Sequence, residues 1–186
     1  MSSPLGALVQ AFLADELPVQ RGLRPTSVKA YRDGLRLFLL FVAKDVPCRI
    51  TQISRQTLSL DRALRFLQDL EATRHNHRRT RNHRLTILRA FFDFLARRCP
   101  EYLAVAQQVA GIAVKRAPPP ETFFLERDEI EALLRRLPTH GRHAARDRAL
   151  FLMLYNTGAR VQEIAELHIE HLDLGPQPRV RLHGKG

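Results

Sequence analysis

The sequence contains no apolar stretch long enough to cross a bilayer. Its longest runs, Leu37 to Ala43 and Ala149 to Tyr155, fall well short of the roughly 18 residues a membrane helix needs. No basic segment followed by an apolar one opens the chain, so no signal peptide is readable. Cysteine is scarce: only Cys48 and Cys99 occur, without Cys-x-x-Cys spacing. Two lone thiols exclude a disulfide framework and point to a reducing cytoplasm. There is no Gly-rich phosphate loop and no internal repeat. His140-x-x-His143 and His168-x-x-His171 have metal spacing, but neither has a third ligand in a known pattern, so no metal or cofactor is expected.

Acidic residues are deficient in one half only. Residues 1–116 hold 20 Lys and Arg against 9 Asp and Glu, an excess of 11, whereas residues 117–186 hold 10 of each and are neutral. A polyanion is the natural partner for the basic half, and nucleic acid is the commonest one. The charge change coincides with Ala117-Pro118-Pro119-Pro120, which cannot continue a helix and favours an extended spacer. A Pro-rich linker is therefore placed at 111–121, between a first domain at 1–110 and a second at 122–186.

Apolar spacing makes the first domain helical. Leu5, Leu8, Phe12 and Leu13 suggest a short amphipathic helix. Pro25-Thr26 opens a second, with Thr26 as the expected N-cap. Tyr31, Leu35, Phe38 and Val42 form its stripe, and Lys29, Arg32 and Arg36 lie toward the other side. Leu60, Leu64, Leu67 and Leu70 mark a third helix. A fourth runs from about Thr80 to Arg98, with Leu85, Leu88, Phe92 and Leu95 inward and Arg78, Asn82, Arg89 and Asp93 on another face. Four such stripes fill one small core. Arg78, Arg79, Arg81, Arg84 and Arg89 are the densest basic cluster. In the second domain, Glu126 to Leu137 carries acids early and arginines late, matching a helix dipole. Ala149 to Tyr155, apolar all round, reads as a buried central helix ended by Gly158 in a left-handed conformation. Val161, Ile164 and Leu167 mark a short helix, Leu172 to Gly175 a turn, and Arg179 to His183 a strand that needs a partner.

The stretch Leu154-Tyr155-Asn156-Thr157-Gly158-Ala159-Arg160-Val161-Gln162-Glu163, followed by Val180-Arg181-Leu182-His183-Gly184-Lys185-Gly186, resembles the catalytic domain of the tyrosine recombinase, or phage integrase, family. Upstream, Ser27-Val28-Lys29-Ala30-Tyr31 and the Arg-rich helix ending in Phe91-Phe92-Asp93-Phe94-Leu95 resemble that family's core-binding domain, with Ser27 in place of the usual threonine. The resemblance implies a mainly α chain: a four-helix, SAM-like core-binding domain, then the first helices and strand of an α+β catalytic domain. It implies double-stranded DNA as partner, and DNA binding in site-specific recombination or integration. Cutting DNA without a metal requires charge stabilisation of a five-coordinate phosphate, which the planar, permanently charged guanidinium suits. By resemblance Arg160 is the first of two catalytic arginines, Glu163 its support one turn on, and Lys185 the general acid that protonates the leaving oxygen.

The family's second arginine in His-x-x-Arg, a further His or Trp, and its tyrosine nucleophile should follow the Lys185 hairpin. His75-x-x-Arg78 and His143-x-x-Arg146 match as text but precede Arg160, and read as chance. Tyr31 and Tyr155 sit on apolar stripes that suggest core packing, and Tyr102 has no surrounding motif. The chain is thus expected to be a C-terminally truncated recombinase, inactive alone, acting on DNA by self-association or with a full-length recombinase. The alternative is a non-catalytic DNA-binding regulator or competitor that keeps the fold. A helical protein-interaction module would explain the stripes but neither the charge split nor Thr-Gly-Ala-Arg.

Overall fold

A computed structural model of the chain describes residues 4–119 and 121–184. The chain divides after Pro119 into two compact units. No helix among the described residues is long and apolar enough to cross a membrane.

The first unit holds five α-helices. Helix α1 (Pro4–Ala11) runs directly into a π-helical stretch, Phe12–Gln20, that contains Pro18. The widened turn of this stretch buries the Glu16 carboxylate, which accepts from Arg21 Nε at 2.9 Å and Arg97 Nη2 at 2.6 Å. Helix α2 (Pro25–Asp45) starts at an extended Arg24, with Pro25 as its first helical residue. Thr26 therefore lies inside the helix and is not its cap: proline's fixed φ and missing N–H suit the first helical position. Helix α3 (Leu60–Ala72) is capped by Ser59, whose hydroxyl accepts from the Arg62 N–H at 3.3 Å. Arg62 and Arg65 both reach Asp45 at the end of α2, tying the two helices.

Helix α4 (Arg78–Arg98) is the centre of this unit. Leu85, Leu88, Phe92 and Leu95 are fully buried, and Ile87, Phe91 and Phe94 join them. The apolar face thus covers far more than one stripe, because α2, α3, the π-helical stretch and α5 (Leu103–Ala110) all pack on α4. Phenylalanines knit the layers: Phe12 meets Phe91 edge-on at 5.2 Å, and Phe38 meets Phe66 at 5.3 Å. Such contacts add directional preference to area burial. Leu64, read as part of the α3 stripe, is 44% exposed; Ala63 and Phe66 take the inward positions with Leu67 and Leu70. The unit continues past α5 as an extended segment, 112–118, begun by the buried Ile112.

The second unit comprises α6 (Arg127–Arg135), α7 (Ala144–Thr157), α8 (Val161–Ala165) and two short strands. Glu129 reaches back to the Glu126 N–H at 2.8 Å and closes the start of α6. Helix α7 is not the buried rod its composition suggests: Leu150, Phe151 and Tyr155 are 37, 42 and 50% exposed. Among the described residues of this unit only α6 and the five-residue α8 pack on it to any extent, and two elements cannot cover an all-apolar cylinder. Strand β1 (Leu172–Asp173) pairs antiparallel with β2 (Arg179–Val180), Leu172 opposite Val180. The expected strand is confined to Arg179–Val180, short of His183, and is not an unpaired edge: its partner lies inside the chain, and Leu172 belongs to that partner and not to the turn. The ladder is extended by Arg181 N–H to the His171 carbonyl at 2.9 Å.

Candidate nucleic-acid interface and phosphate site

On the first unit, the arginines of α4 divide by environment. Arg78 and Arg79 are exposed at its first turn, where His77 Nδ1 caps the helix by accepting from the Arg79 N–H at 3.2 Å. Arg81 is only 6% exposed, and its guanidinium donates to the Ala113 carbonyl at 2.8 Å. Arg89 donates to Ile112 O, Arg79 to Pro118 O, and Arg78 to Arg116 O at 3.4 Å. Asn82 makes a two-way pair with Lys115, donating to its carbonyl at 2.7 Å and accepting from its N–H at 3.0 Å. Lys115 also reaches Glu71 on α3 at 2.6 Å. The extended segment thus lies along α4 as a strap held mainly by side chains. Past the Ile112 N–H, which donates to the Val109 carbonyl of α5 at 3.2 Å, its backbone has no helix or strand partner among the described residues, and polar main-chain groups that leave water need donors from elsewhere.

Arg84 is different. It is half-buried, its Nε is out of contact with water, and it has no hydrogen bond or ion pair among the described residues. It passes over Gly34 of α2, where an added Cβ would lie 3.0 Å from its Nη1. On α2, Lys29, Arg32 and Arg36 are exposed; Arg32 touches Asp33 at 3.4 Å, while Lys29 and Arg36 have no acid within ion-pair distance among the described residues. Sequence reasoning grouped all these cations together. It missed Asn82 as a strap anchor, although a Pro-rich extended run after an Arg-rich helix signals carbonyls in search of donors.

On the second unit, Thr157-Gly158-Ala159-Arg160 forms a turning device. The Thr157 hydroxyl donates back to Met153 O at 2.6 Å and accepts from the Ala159 N–H at 3.2 Å. Gly158 takes φ +64, a conformation that glycine adopts without steric cost. Arg160 emerges as the N-cap of α8. The Glu163 carboxylate accepts from both the Arg160 backbone N–H at 2.8 Å and its guanidinium at 2.7 Å. These two bonds hold the Glu163 carboxyl below the ordinary carboxylate range, the backbone bond foremost. Glu163 is largely covered at 14% side-chain exposure, while Arg160 remains 73% exposed. One edge of the guanidinium is therefore fixed by a shielded carboxylate and the rest faces solvent, a geometry suited to an external oxyanion. Gly184 comes close to the same pair: a Cβ there would lie 3.5 Å from Glu163 Oε1. Lys185 lies outside the described residues.

His171 meets His168 edge-on and His183 at a tilt, with ring centroids 5.5 and 4.7 Å apart. Among the described residues no cluster of His, Cys, Asp or Glu could hold a metal ion. The tyrosines differ from one another. Tyr31 packs near Phe12 at 6.2 Å. Tyr102 is buried and donates to the Arg55 carbonyl, and burial pushes its phenol up. Tyr155, expected in the core, is half exposed on α7.

Residues 9–99 match the phage integrase N-terminal SAM-like domain, and residues 123–186 match the phage integrase family. Two Sinorhizobium fredii proteins named as integrase/recombinase are similar along the chain. The one designated y4rD is 36% identical over 183 residues, covering 98% of this chain and 65% of that protein. The other, y4rC, is 32% identical over 182 residues, covering 98% and 55%. The tyrosine recombinase XerC of Oceanobacillus iheyensis is 26% identical over 157 residues, covering 84% and 48%. The chain thus spans about half to two thirds of the length of these relatives. No solved structure matches it at a significant level.

Proposed function

Because the chain belongs to the phage integrase family of tyrosine recombinases, we propose that its first unit binds duplex DNA in site-specific recombination or integration, and that Arg160 is a phosphate-holding arginine of the strand-transfer site. The observation that carries the binding reading is Arg84: a half-buried guanidinium with no acceptor among the described residues, on the unit that carries the whole net charge. A half-buried guanidinium without a partner is costly, and a phosphate oxygen can serve as acceptor for its Nη groups, which unlike Nε are not closed off from solvent. Lys29 and Arg36 on α2 and Arg78 and Arg79 on α4 are assigned as further phosphate contacts. These position the duplex without reading sequence.

For the second unit, Glu163 is a positioning residue that presents Arg160, and Lys185 is assigned as the proton donor to the leaving oxygen. In the 186 residues no tyrosine follows Tyr155 and no His-x-x-Arg follows Arg160. To the residues present we assign DNA binding and phosphate recognition.

The test is a mobility-shift titration at several salt concentrations, with the wild-type chain and Arg84→Ala. Binding should weaken steeply with salt. The variant should bind more weakly, with a log–log salt slope shallower by about one, since each neutralised phosphate contributes roughly 0.9 to it. Unchanged affinity and slope would remove Arg84 from the interface. Denaturing the same mixtures should reveal no protein–DNA adduct; an adduct mapped to Tyr155 would overturn this assignment to binding and recognition alone.

A further inference from the structure

We infer that the 112–118 strap is an autoinhibitory cover: it competes with DNA phosphates for the α4 arginines and is released when duplex DNA binds. The inference rests on the DNA-binding reading of α4.

The observations are local to the first unit. The strap's main-chain carbonyls occupy guanidinium groups of Arg81 and Arg89, and its docking leaves Arg81 buried. Neither arginine has an acidic partner within ion-pair distance, and the Nε of each is buried without an acceptor. The docked state therefore satisfies two charged groups with neutral oxygens and leaves a donor on each unmet. A hydrogen bond from guanidinium to phosphate is roughly twice as strong as one to an uncharged acceptor and can be bidentate. The strap also brings its own cations, Lys115 and Arg116, onto an already basic helix, with Glu71 as the acid that meets one of them. Beneath it lies an open groove of about 350 Å³ lined by Leu64, Leu67, Glu71, Arg81 and Lys115, so apolar packing does little to hold this stretch. What holds it are the Ile112 anchor, the bonds from Arg78, Arg79, Arg81 and Arg89 to its carbonyls, the Lys115 ion pair, and the two-way Asn82–Lys115 pair. That pair is the only one of these that is uncharged, lies on α4 and leaves every cation in place when removed.

Asn82→Ala should therefore loosen the strap without altering charge. When a binding-competent form is only partly populated, apparent affinity falls by that fraction. Freeing the arginines should then tighten duplex binding, by about three- to tenfold for the loss of two ordinary hydrogen bonds. In the wild-type chain, hydrogen exchange at the Lys115 amide and across 112–118 should speed up when saturating duplex DNA is added. The mobility shift is recorded on the same mixtures, and circular dichroism confirms that the variant keeps its helices. A wild-type chain that gives no shift defeats the DNA-binding reading itself. A clear shift with slowed or unchanged exchange in the strap, or weaker or equal binding by Asn82→Ala, overturns the cover and makes the strap part of the bound surface. If Asn82→Ala loses helix content, Asn82→Gln, which keeps an amide but lengthens the reach, takes its place with the same expectation.

Discussion

Gly34 stands where α2 crosses α4, and the consequence of filling it can be worked through. An alanine Cβ there would lie 2.5 Å from Ile87 Cδ1 and 3.3 Å from Arg84 Cδ, whereas carbon atoms pack best at about 3.5–4.0 Å. Ile87 is fully buried, so its methyl must move by roughly 1 Å into occupied space. Overpacking of this kind costs about 1–3 kcal/mol. Against it stands the gain of replacing glycine inside a helix, about 1 kcal/mol. Gly34→Ala should thus destabilise the first unit by about 1 kcal/mol, where a surface glycine in a helix would give the opposite sign. The same reasoning fixes a rescue. Ile87→Val deletes the clashing methyl and alone costs about 0.5–1.5 kcal/mol. Combined with Gly34→Ala it should cost no more than Ile87→Val alone, a coupling of about 1–2 kcal/mol, well beyond the additivity seen between independent sites. Urea unfolding of all four proteins, followed by circular dichroism, measures the cycle through the shift in midpoint at constant slope. Strict additivity, or a stabilised Gly34→Ala, would refute the close approach of the two helices.

Two further outcomes follow from the packing. Glu16 is held ionised by Arg97 and then Arg21, below its ordinary value of 4.5; its contribution should be fully present above that value and lost as pH falls through the lowered one. Glu16→Gln should cost about 1–2 kcal/mol at neutral pH, allowing for the half-exposed Arg97, and should flatten the urea midpoint against pH below 4.5; an unchanged profile would rule out the buried carboxylate as the acid-sensitive group. Hydrogen exchange should show helices α2 to α4 far better protected than α6 to α8, since only Ala144 and Ile164 are buried apolar residues among the described part of the second unit, and equal protection in both would contradict it.

The helices of the first unit were legible where a single stripe faces a single core. Tyr31, Leu35, Phe38 and Val42 are spaced for one face of α2, and periodicity needs nothing more. The π-helical stretch was not legible, because its widened turn is set by where Glu16 and Leu17 find burial, not by spacing. Helix α5 was missed because eight residues of Leu, Ala, Val and Gln after Pro100 carry no side-chain cap and no charge to mark a polar face. The exposure of α7 was misread for a related reason: an all-apolar helix states that it needs cover, and only the surrounding elements decide whether it has any. The short β1 was hidden in what composition presents as a turn, since two residues cannot establish an alternation.

The second site was more legible than the first, and the physical reason is range. Thr157, Gly158, Arg160 and Glu163 act through contacts within a few residues: a hydroxyl that closes the end of α7, a glycine at positive φ, and a carboxylate three positions along that grips backbone and guanidinium together. Each contact is determined by local spacing, so the string of letters carries the geometry. The arginines of α4 have no such local determinant. Arg78, Arg79, Arg81, Arg84 and Arg89 look alike in sequence, yet Arg81 is buried under a strap more than thirty residues downstream while Arg84 has no acceptor among the described residues. What separates them is helix rotation of about 100° per residue combined with the path of a segment whose main-chain carbonyls must be met by side chains. A basic helix followed by a Pro-rich extension therefore has two acceptors for one set of guanidinium groups, its own backbone and the phosphates of DNA. Charge counting finds the set but cannot divide it. The division becomes measurable only by changing Asn82, the one strap anchor on α4 that carries no charge.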